Sequence, residues 1–304
     1  SGNVKLIIQP EASPILPFDV FELNIPVACF QIDTNLAARQ RAKASRPFDI
    51  TFVFHPGYEN LFKKWGVTNT LLVPHAIEKH LFPYFLSEKK YEIGWVGRTD
   101  VNNYKLRRQI LPILCDRFKM NDPFRQYSQS EMIEVYSQSS IVVNISKDDF
   151  LQDANIRCFE AMASGALLIT HMPSELSEIG FEEGKHFIGF IDSSDLVDKI
   201  EFYLLNNLLA DKIAKEAKNL VLNNHTYNAR ALKIVETLEH LKIQKKTKSE
   251  IYRGMFYYFC FRRELNKALY AFKKLPSLHL SYPSEVLLLL KLILSKLIHK
   301  ERVF

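Results

Sequence analysis

Short apolar runs alternate with amphipathic segments along the first 80 residues. The runs VKLII, PVACFQI, DITFVF and TLLV are separated by stretches of helical spacing near 36–45 and 58–65. Apolar runs of this length suit buried strands, whereas apolar residues that recur every three to four positions indicate helices. Strands that alternate with helices form parallel sheets, so the pattern predicts a reduced Rossmann-like α/β domain over residues 1–88.

The same alternation resumes at Tyr91 with the run YEIGWVG, and helical spacing returns from Gln129. A buried run, SSIVVNIS, then occupies 139–146, and three amphipathic segments fill 193–242. The pattern predicts a second Rossmann-like domain over residues 89–241, with its own parallel sheet.

The stretch DANIRCFEAMASGALLIT, which begins at Asp153, combines a helix and a strand in a short space. Its apolar residues recur at three- and four-residue spacing, while Asp153, Arg157 and Glu160 lie on a second, polar face. Asp153 stands where an N-cap is expected, and Gly165 stands where a helix C-terminus needs a left-handed residue. With the strand before it, this stretch predicts a βαβ crossover.

Ligands of parallel sheets bind beyond the carboxyl ends of the strands, where helix N-termini carry a partial positive charge. We therefore expect the first residues of this helix, Asp153, Ala154 and Asn155, to bind a phosphate or diphosphate. Glu160 lies two turns further on, about 10 Å away, within reach of a ribose diol. The alternative is that Arg157 and Glu160 form a surface ion pair at i, i+3 spacing.

The pattern Arg-x-Phe-Glu-Ala-Met-Ala-x-Gly at 157–165, followed by an apolar strand, resembles the C-terminal domain of group 1 glycosyltransferases, particularly their spore-maturation-protein-like branch. The stretches YEIGWVGR, EMIEVYSQSSIVVNIS and NHTYNARA occur in the order found in that family. The resemblance implies a GT-B pair of Rossmann-like domains. It also implies that Glu160 holds a nucleotide ribose and that Arg98 faces a diphosphate. Many members have a second glutamate that contacts the donor sugar, and this chain has Gln152 at that position.

Charge near the diphosphate has two candidate sources. Gly97 and Arg98 end a buried strand, where backbone can approach a phosphate and the arginine can supply charge. Lys105 is the other candidate, although it also suits the solvated start of a helix. In the loop that the resemblance assigns to base recognition, Phe124 or Tyr127 could stack on a base or fill the core instead.

Three polar residues follow predicted strands of the first domain, namely Asp33, His55 and His75. At the carboxyl edge of a sheet they could contact an acceptor, and Asp33 is the candidate general base for an inverting reaction. The alternative for each is cap or turn chemistry. This domain is short for a GT-B N-terminal domain, so we expect either missing N-terminal sequence or a minimal acceptor domain that another element completes.

The formal net charge of +6 is concentrated in a helical basic tail over residues 242–304. Its last helix, EVLLLLKLILSKLIHK, is apolar on nearly every side and must be buried or lie at a membrane interface. We favour a helical hairpin that completes the first domain, with a peripheral membrane contact as the alternative. Four dispersed cysteines and no spanning segment or signal peptide favour a cytoplasmic protein, membrane-associated in the alternative case.

These observations predict a metal-independent GT-B glycosyltransferase of the hexosyltransferase type. The donor would be a nucleotide-diphosphate sugar, the acceptor a glycan or a lipid-linked precursor, and no cofactor, metal or nucleic acid would be required. Two alternatives are open: a non-catalytic module that binds nucleotide sugar, and a peripheral membrane scaffold derived from a transferase.

Overall fold

The computed structural model describes residues 4–11, 16–67, 69–82, 88–100, 104–241, 246–275 and 283–300. The chain forms two compact units, one made of residues 1–73 with 241–304 and the other of residues 74–240. The first boundary therefore falls at Val73, earlier than predicted, and the basic tail belongs to the first unit. Pro83 and the charges that follow it predict an interdomain linker over residues 81–90, and residues 83–87 of this stretch lie outside the described residues.

The first unit contains a four-stranded parallel sheet whose strand order follows the chain. The apolar runs of the sequence form its strands, and Ala28 pairs with Ile50 across the centre. The strand β3 is buried along its whole length, including Thr51, as expected for a mostly apolar strand covered on both faces. The elements are β1 (Ile7–Gln9), β2 (Val27–Gln31), α1 (Ala38–Ser45), β3 (Ile50–Val53), α2 (Pro56–Lys64) and β4 (Thr70–Leu72).

The second unit is also built on four parallel strands in chain order. Its last strand, which contains Gly189, was not predicted. The elements are β5 (Tyr91–Gly94), α3 (Lys105–Arg117), α4 (Gln129–Ser137), β6 (Ser139–Asn144), α5 (Ile156–Ser164), β7 (Leu167–His171), β8 (Ile188–Phe190), α6 (Ser193–Leu205), α7 (Asn207–Asn224) and α8 (Tyr227–Glu239).

Two apolar layers cover the two faces of this second sheet. Alternate strand residues point to opposite sides, so Ile141 packs with α3 and α6 while its neighbour Val142 packs with α4, α5 and α7. The helix α5 is buried from Cys158 to Ser164 and ends at Gly165, whose φ of 79° is left-handed as predicted. A helix buried this deeply holds its N-terminus in a fixed position.

The tail forms three helices that pack on the first unit, in agreement with the hairpin hypothesis. They are α9 (Lys248–Phe261), α10 (Leu265–Lys273) and α11 (Pro283–Lys300). The helix α9 packs along α1, and Lys43 on α1 donates a hydrogen bond of 3.0 Å to the Tyr257 hydroxyl on α9. Within the described residues, every helix is too short or too polar to cross a bilayer.

Candidate functional site

The N-terminus of α5 is capped by Asn155, which corrects the prediction that Asp153 is the N-cap. The Asn155 carboxamide oxygen accepts a hydrogen bond from the Arg157 amide at 3.2 Å. Both residue types cap helices well, so the choice between them is made by tertiary contacts. The Asn155 Nδ2 group donates to the Asp153 carbonyl at 3.3 Å, which leaves Asp153 in the loop before the helix.

Buried hydrogen bonds hold this cap against the carboxyl ends of β6 and β7. Asn155 Nδ2 donates to Asn144 Oδ1 at 3.2 Å, and Asn144 Nδ2 in turn donates to Thr170 Oγ1 at 3.0 Å. Ser146 joins the network by donating from its hydroxyl to the Asp153 carbonyl at 3.3 Å. The helix N-terminus is therefore fixed at the edge of the sheet where the βαβ argument placed it.

Glu160 is buried on α5 and retains only 8% of its exposed area. Burial raises the pKa of its carboxyl to about 7, and the nearby Arg157 charge opposes that shift. The burial of Glu160 argues against the alternative of a surface ion pair. A buried carboxyl with a strongly perturbed pKa is typical of a functional site.

Arg107 on α3 is a second cation at this edge, and the sequence analysis did not single it out. Its guanidinium is buried, donating from Nε to the Ile145 carbonyl and from Nη1 to the Arg98 carbonyl, both at 2.8 Å. Its Nη2 group is buried without a hydrogen-bond partner among the described residues. Burial, together with a smaller effect of the Arg157 charge, lowers the pKa of Arg107 to about 10. The two arginines thus concentrate positive charge beside α5.

The loop after β5 carries Gly97 and Arg98. A Cβ at Gly97 would lie 3.0 Å from the Trp95 ring, so this position favours glycine for packing reasons. The Arg98 side chain is exposed and donates to both carboxylate oxygens of Asp100, at 3.1 and 3.0 Å. Because Arg107 holds the Arg98 carbonyl, this loop is tied to the end of β6. Its part in binding a diphosphate stays a prediction.

Lys105 begins α3, where an acidic side chain already neutralises the helix end. The Lys105 and Leu106 amides donate to the two carboxylate oxygens of Asp148, at 2.7 and 3.0 Å. The α3 N-terminus therefore has its own anion, whereas the Lys105 side chain is exposed. This arrangement supports the solvated-helix alternative for Lys105.

Glu175 is a further acidic residue near α5 that the sequence analysis did not identify. Its backbone amide donates to the Gln152 carbonyl at 2.9 Å, and its carboxylate accepts from the Ala154 amide at 3.4 Å. Gln152 itself is exposed. Glu175 follows β7 in a polar stretch, and the sequence pattern alone gave no reason to place it beside Ala154.

The aromatic candidates for base stacking differ in their surroundings. Phe124 is 60% exposed. The Tyr127 hydroxyl donates to the Asp122 carbonyl at 2.8 Å and accepts from Asn121 Nδ2 at 3.0 Å. Phe124 is therefore accessible to a ligand, while Tyr127 is held within the loop.

His75 lies in the second unit, at its first residues. Its carbonyl and that of Pro74 accept hydrogen bonds from Arg230, at 3.1 and 2.9 Å. Arg230 also lies 2.6 Å from Nδ1 of the buried His225, and burial lowers the pKa of His225 to about 3. These contacts fasten the start of the second unit to α8, so they favour a structural role for the His75 segment.

Asp33 and His55 lie in the first unit. Asp33 is exposed just beyond β2, and its carbonyl accepts from the Leu36 amide at 3.0 Å in a turn. His55 is buried at the N-cap position of α2 and caps that helix with its backbone alone. Both follow strands as predicted, and the catalytic role of Asp33 stays a prediction.

Residues 110–236 match a family model described as glycosyl transferase-like, and they include α5 and Glu160. A comparison of the sequence with curated proteins finds no significant match.

Solved structures resemble the chain over both units. Sucrose-phosphate synthase from Thermosynechococcus elongatus aligns at 15% identity with a TM-score of 0.58, covering 78% of this chain and 73% of that one. Anabaena HepE, solved in complex with UDP, aligns at 13% identity with a TM-score of 0.56, covering 71% and 73%. TarM aligns at 13% identity with a TM-score of 0.57, covering 77% of this chain and 54% of TarM.

These findings confirm the GT-B fold with two Rossmann-like units that was predicted from the sequence. They also place a glycosyl transferase-like domain on the part of the chain that contains α5. The spore-maturation-protein-like branch stays a prediction.

Proposed function

We propose that the chain transfers a hexosyl group from a nucleotide-diphosphate sugar to a glycan or lipid-linked acceptor. The observation that carries this proposal is the position of Glu160, a buried carboxyl on the helix whose N-terminus is fixed at the carboxyl edge of the sheet. The family match over residues 110–236 supports it, as does the likeness to HepE, which was solved with UDP and with UDP-glucose.

In this proposal, positive charge beside α5 receives the donor diphosphate. Arg157 and Arg107 contribute full charges, and the α5 N-terminus contributes its dipole. Arg107 and the α5 N-terminus are held before substrate arrives, so they stabilise negative charge that develops on the departing diphosphate without large rearrangement. Arg98 joins them if it exchanges Asp100 for a phosphate oxygen.

Glu160 would bind the ribose in its ionised form. A carboxylate accepts hydrogen bonds from both hydroxyls of a diol, and these bonds favour the charged state that burial now disfavours. Donor binding would therefore lower the pKa of Glu160 from about 7 and release a proton. Phe124, exposed in the loop before α4, is the candidate to stack on the base.

The acceptor side of the proposal rests on the first unit, and Asp33 would act as base if the reaction inverts the anomeric centre. We propose that the enzyme needs no metal or other cofactor, since charge stabilisation is assigned to arginines and helix amides. We also propose a cytoplasmic protein that associates with the membrane.

The test is transfer and hydrolysis of labelled UDP-, GDP- and dTDP-sugars by the full chain. Turnover of one donor that is lost in Glu160→Gln and retained in Glu216→Gln would support the proposal. Glu216 is a matched control because it is an exposed glutamate on α7 of the same unit. Donor binding without turnover would favour the second candidate, a non-catalytic module that binds nucleotide sugar. Two features support this candidate: Gln152 stands where many family members have a glutamate, and Arg98 is paired with Asp100.

A further inference from the structure

The last helix of the chain presents an apolar stripe to solvent. Leu287, Leu290 and Leu294 are 55%, 50% and 56% exposed, and their spacing places them on one face of α11. We call this the outer face of α11. Isolated exposed leucines are common on protein surfaces, but an aligned set on one helix indicates a binding surface.

The orientation of α11 is fixed by its opposite face. Leu289 and Leu292 are buried in the cluster that joins the tail to α1. Glu285 is fully buried, accepting a 2.6 Å hydrogen bond from the Tyr257 hydroxyl and forming an ion pair with Arg253 at 2.6 Å. A buried carboxylate held by two partners resists rotation of the helix, because turning it would leave that charge unpaired. The leucines therefore remain outward.

A cavity of about 580 Å³ adjoins the outer face. Its apolar lining comes from Leu287 and Leu288 on α11 and from alanines at the start of α1. The charged side chains in its lining are all basic: Arg39, Lys43 and Lys291. This combination of apolar floor and basic rim suits a molecule with an acyl portion and an anionic headgroup.

Charge is distributed very unevenly between the two units. The first unit contains 21 Lys and Arg against 10 Asp and Glu, whereas the second contains 19 against 24. A surface of this sign is attracted to anionic lipid and is repelled by a second copy of itself. The excess positive charge of the first unit therefore favours anionic lipid over a second copy of the chain as the partner of the outer face of α11.

We propose that the outer face of α11 binds an anionic bilayer surface. The three leucines enter the boundary between headgroups and acyl chains, while Arg39, Lys43 and Lys291 contact lipid phosphates. A nucleic acid would satisfy the basic side chains but gives the aligned leucines no apolar partner. This inference rests on the membrane association proposed above and assigns it to a surface of the first unit, but it does not depend on the transfer chemistry proposed for the second unit.

The test is co-sedimentation of the full chain with vesicles of phosphatidylcholine alone and with 30 mol % phosphatidylglycerol, about the anionic fraction of a charged leaflet. We expect binding only to the phosphatidylglycerol vesicles, falling steeply between about 0.05 and 0.5 M NaCl as charges are screened. The double variant Leu290→Asp/Leu294→Asp should weaken binding at least about tenfold, because apolar burial is lost. Lys291→Glu should weaken it about fivefold or more.

Leu208→Asp is the matched control, since Leu208 is 84% exposed on α7 of the other unit. It should bind vesicles like the unchanged chain, and all variants should keep the same melting temperature. Unaltered vesicle binding by the double leucine variant would overturn the proposal. So would a dimer that the same variant dissociates, or duplex DNA that competes with vesicles for the unchanged chain.

Discussion

Replacing Glu160 by Gln should affect folding stability and nucleotide binding in opposite directions. The pKa of the buried carboxyl is about 7 in the folded protein, against an ordinary value of 4.5. The folded protein thus holds this proton more tightly than the unfolded chain does. As the pH rises from 4.5 to about 7, the contribution of Glu160 to the free energy of unfolding therefore falls. The cost of burying the ionised carboxylate is absent below pH 4.5 and complete above about pH 7.

The difference between the two pKa values corresponds to about 3 kcal/mol. The free energy of unfolding should therefore drop by up to about 3 kcal/mol more in the unchanged protein than in Glu160→Gln between about pH 4 and pH 8. Denaturant unfolding at both pH values measures this. Comparing the pH response of the two proteins cancels the constant effect of burying a carboxamide.

Nucleotide binding should show the reverse preference, because the ribose hydroxyls donate to the ionised carboxylate. The Glu160 carboxyl is mostly ionised at pH 8 and mostly protonated at pH 6. The affinity for nucleotide should therefore be about tenfold lower at pH 6 than at pH 8. Glu160→Gln should weaken binding at pH 8 by about 1–3 kcal/mol and lose this part of the pH dependence. Calorimetry on both proteins in identical buffers decides the matter. Equal nucleotide affinities for the two proteins at pH 8 would refute the assignment of Glu160.

Three further predictions concern the cap, the tail and metal ions. Asn155→Ala removes the α5 cap and should lower the free energy of unfolding by about 1–2 kcal/mol, measured by denaturant titration, and Asn155→Asp should restore only part of this, because a carboxylate can accept the cap bond but cannot donate to Asn144 and the Asp153 carbonyl. A chain ending at Leu241 exposes the core beneath α9 and should aggregate or melt much earlier; a stable, monomeric fragment would contradict the docked tail. Transfer activity should survive excess EDTA, because the sequence has no Asp-x-Asp pair at a strand end, and loss that manganese restores would argue against metal independence.

The sheets were predictable because their strands are continuous apolar runs. PVACFQI and DITFVF became β2 and β3, each one residue shorter at both ends, and SSIVVNIS became β6, two residues shorter at its carboxyl end. The strand β8 was not predicted, although β1 and β4 are equally short, and it differs from them in having a glycine at its centre. The docking of the tail could be expected from α11, whose apolar surface exceeds what solvent tolerates, but its partner α1 could not be identified from pattern alone.

The site was predictable only where its residues share one helix. The polar face of α5 is local in sequence, so Arg157 and Glu160 could be recognised from spacing. Arg107 and Glu175 reach the same edge from other elements, and only tertiary structure brings them there. The N-cap was misplaced by two residues for the same reason, since Asn144 and Thr170 select Asn155 through long-range hydrogen bonds.

The most direct test of the central claim is nucleotide binding to the full chain. Melting temperatures should be measured with UDP, GDP, dTDP and CMP, and the affinity of any stabilising nucleotide determined by calorimetry. A nucleotide that binds the folded protein but not the unfolded chain stabilises the folded state by about 2.7 kcal/mol when its free concentration is about a hundred times its Kd. One nucleoside diphosphate should raise the melting temperature of the unchanged chain and of Glu216→Gln, and should raise that of Glu160→Gln much less. If no nucleotide shifted the melting temperature, or if the shift were the same in Glu160→Gln, nucleotide binding through Glu160 would be refuted.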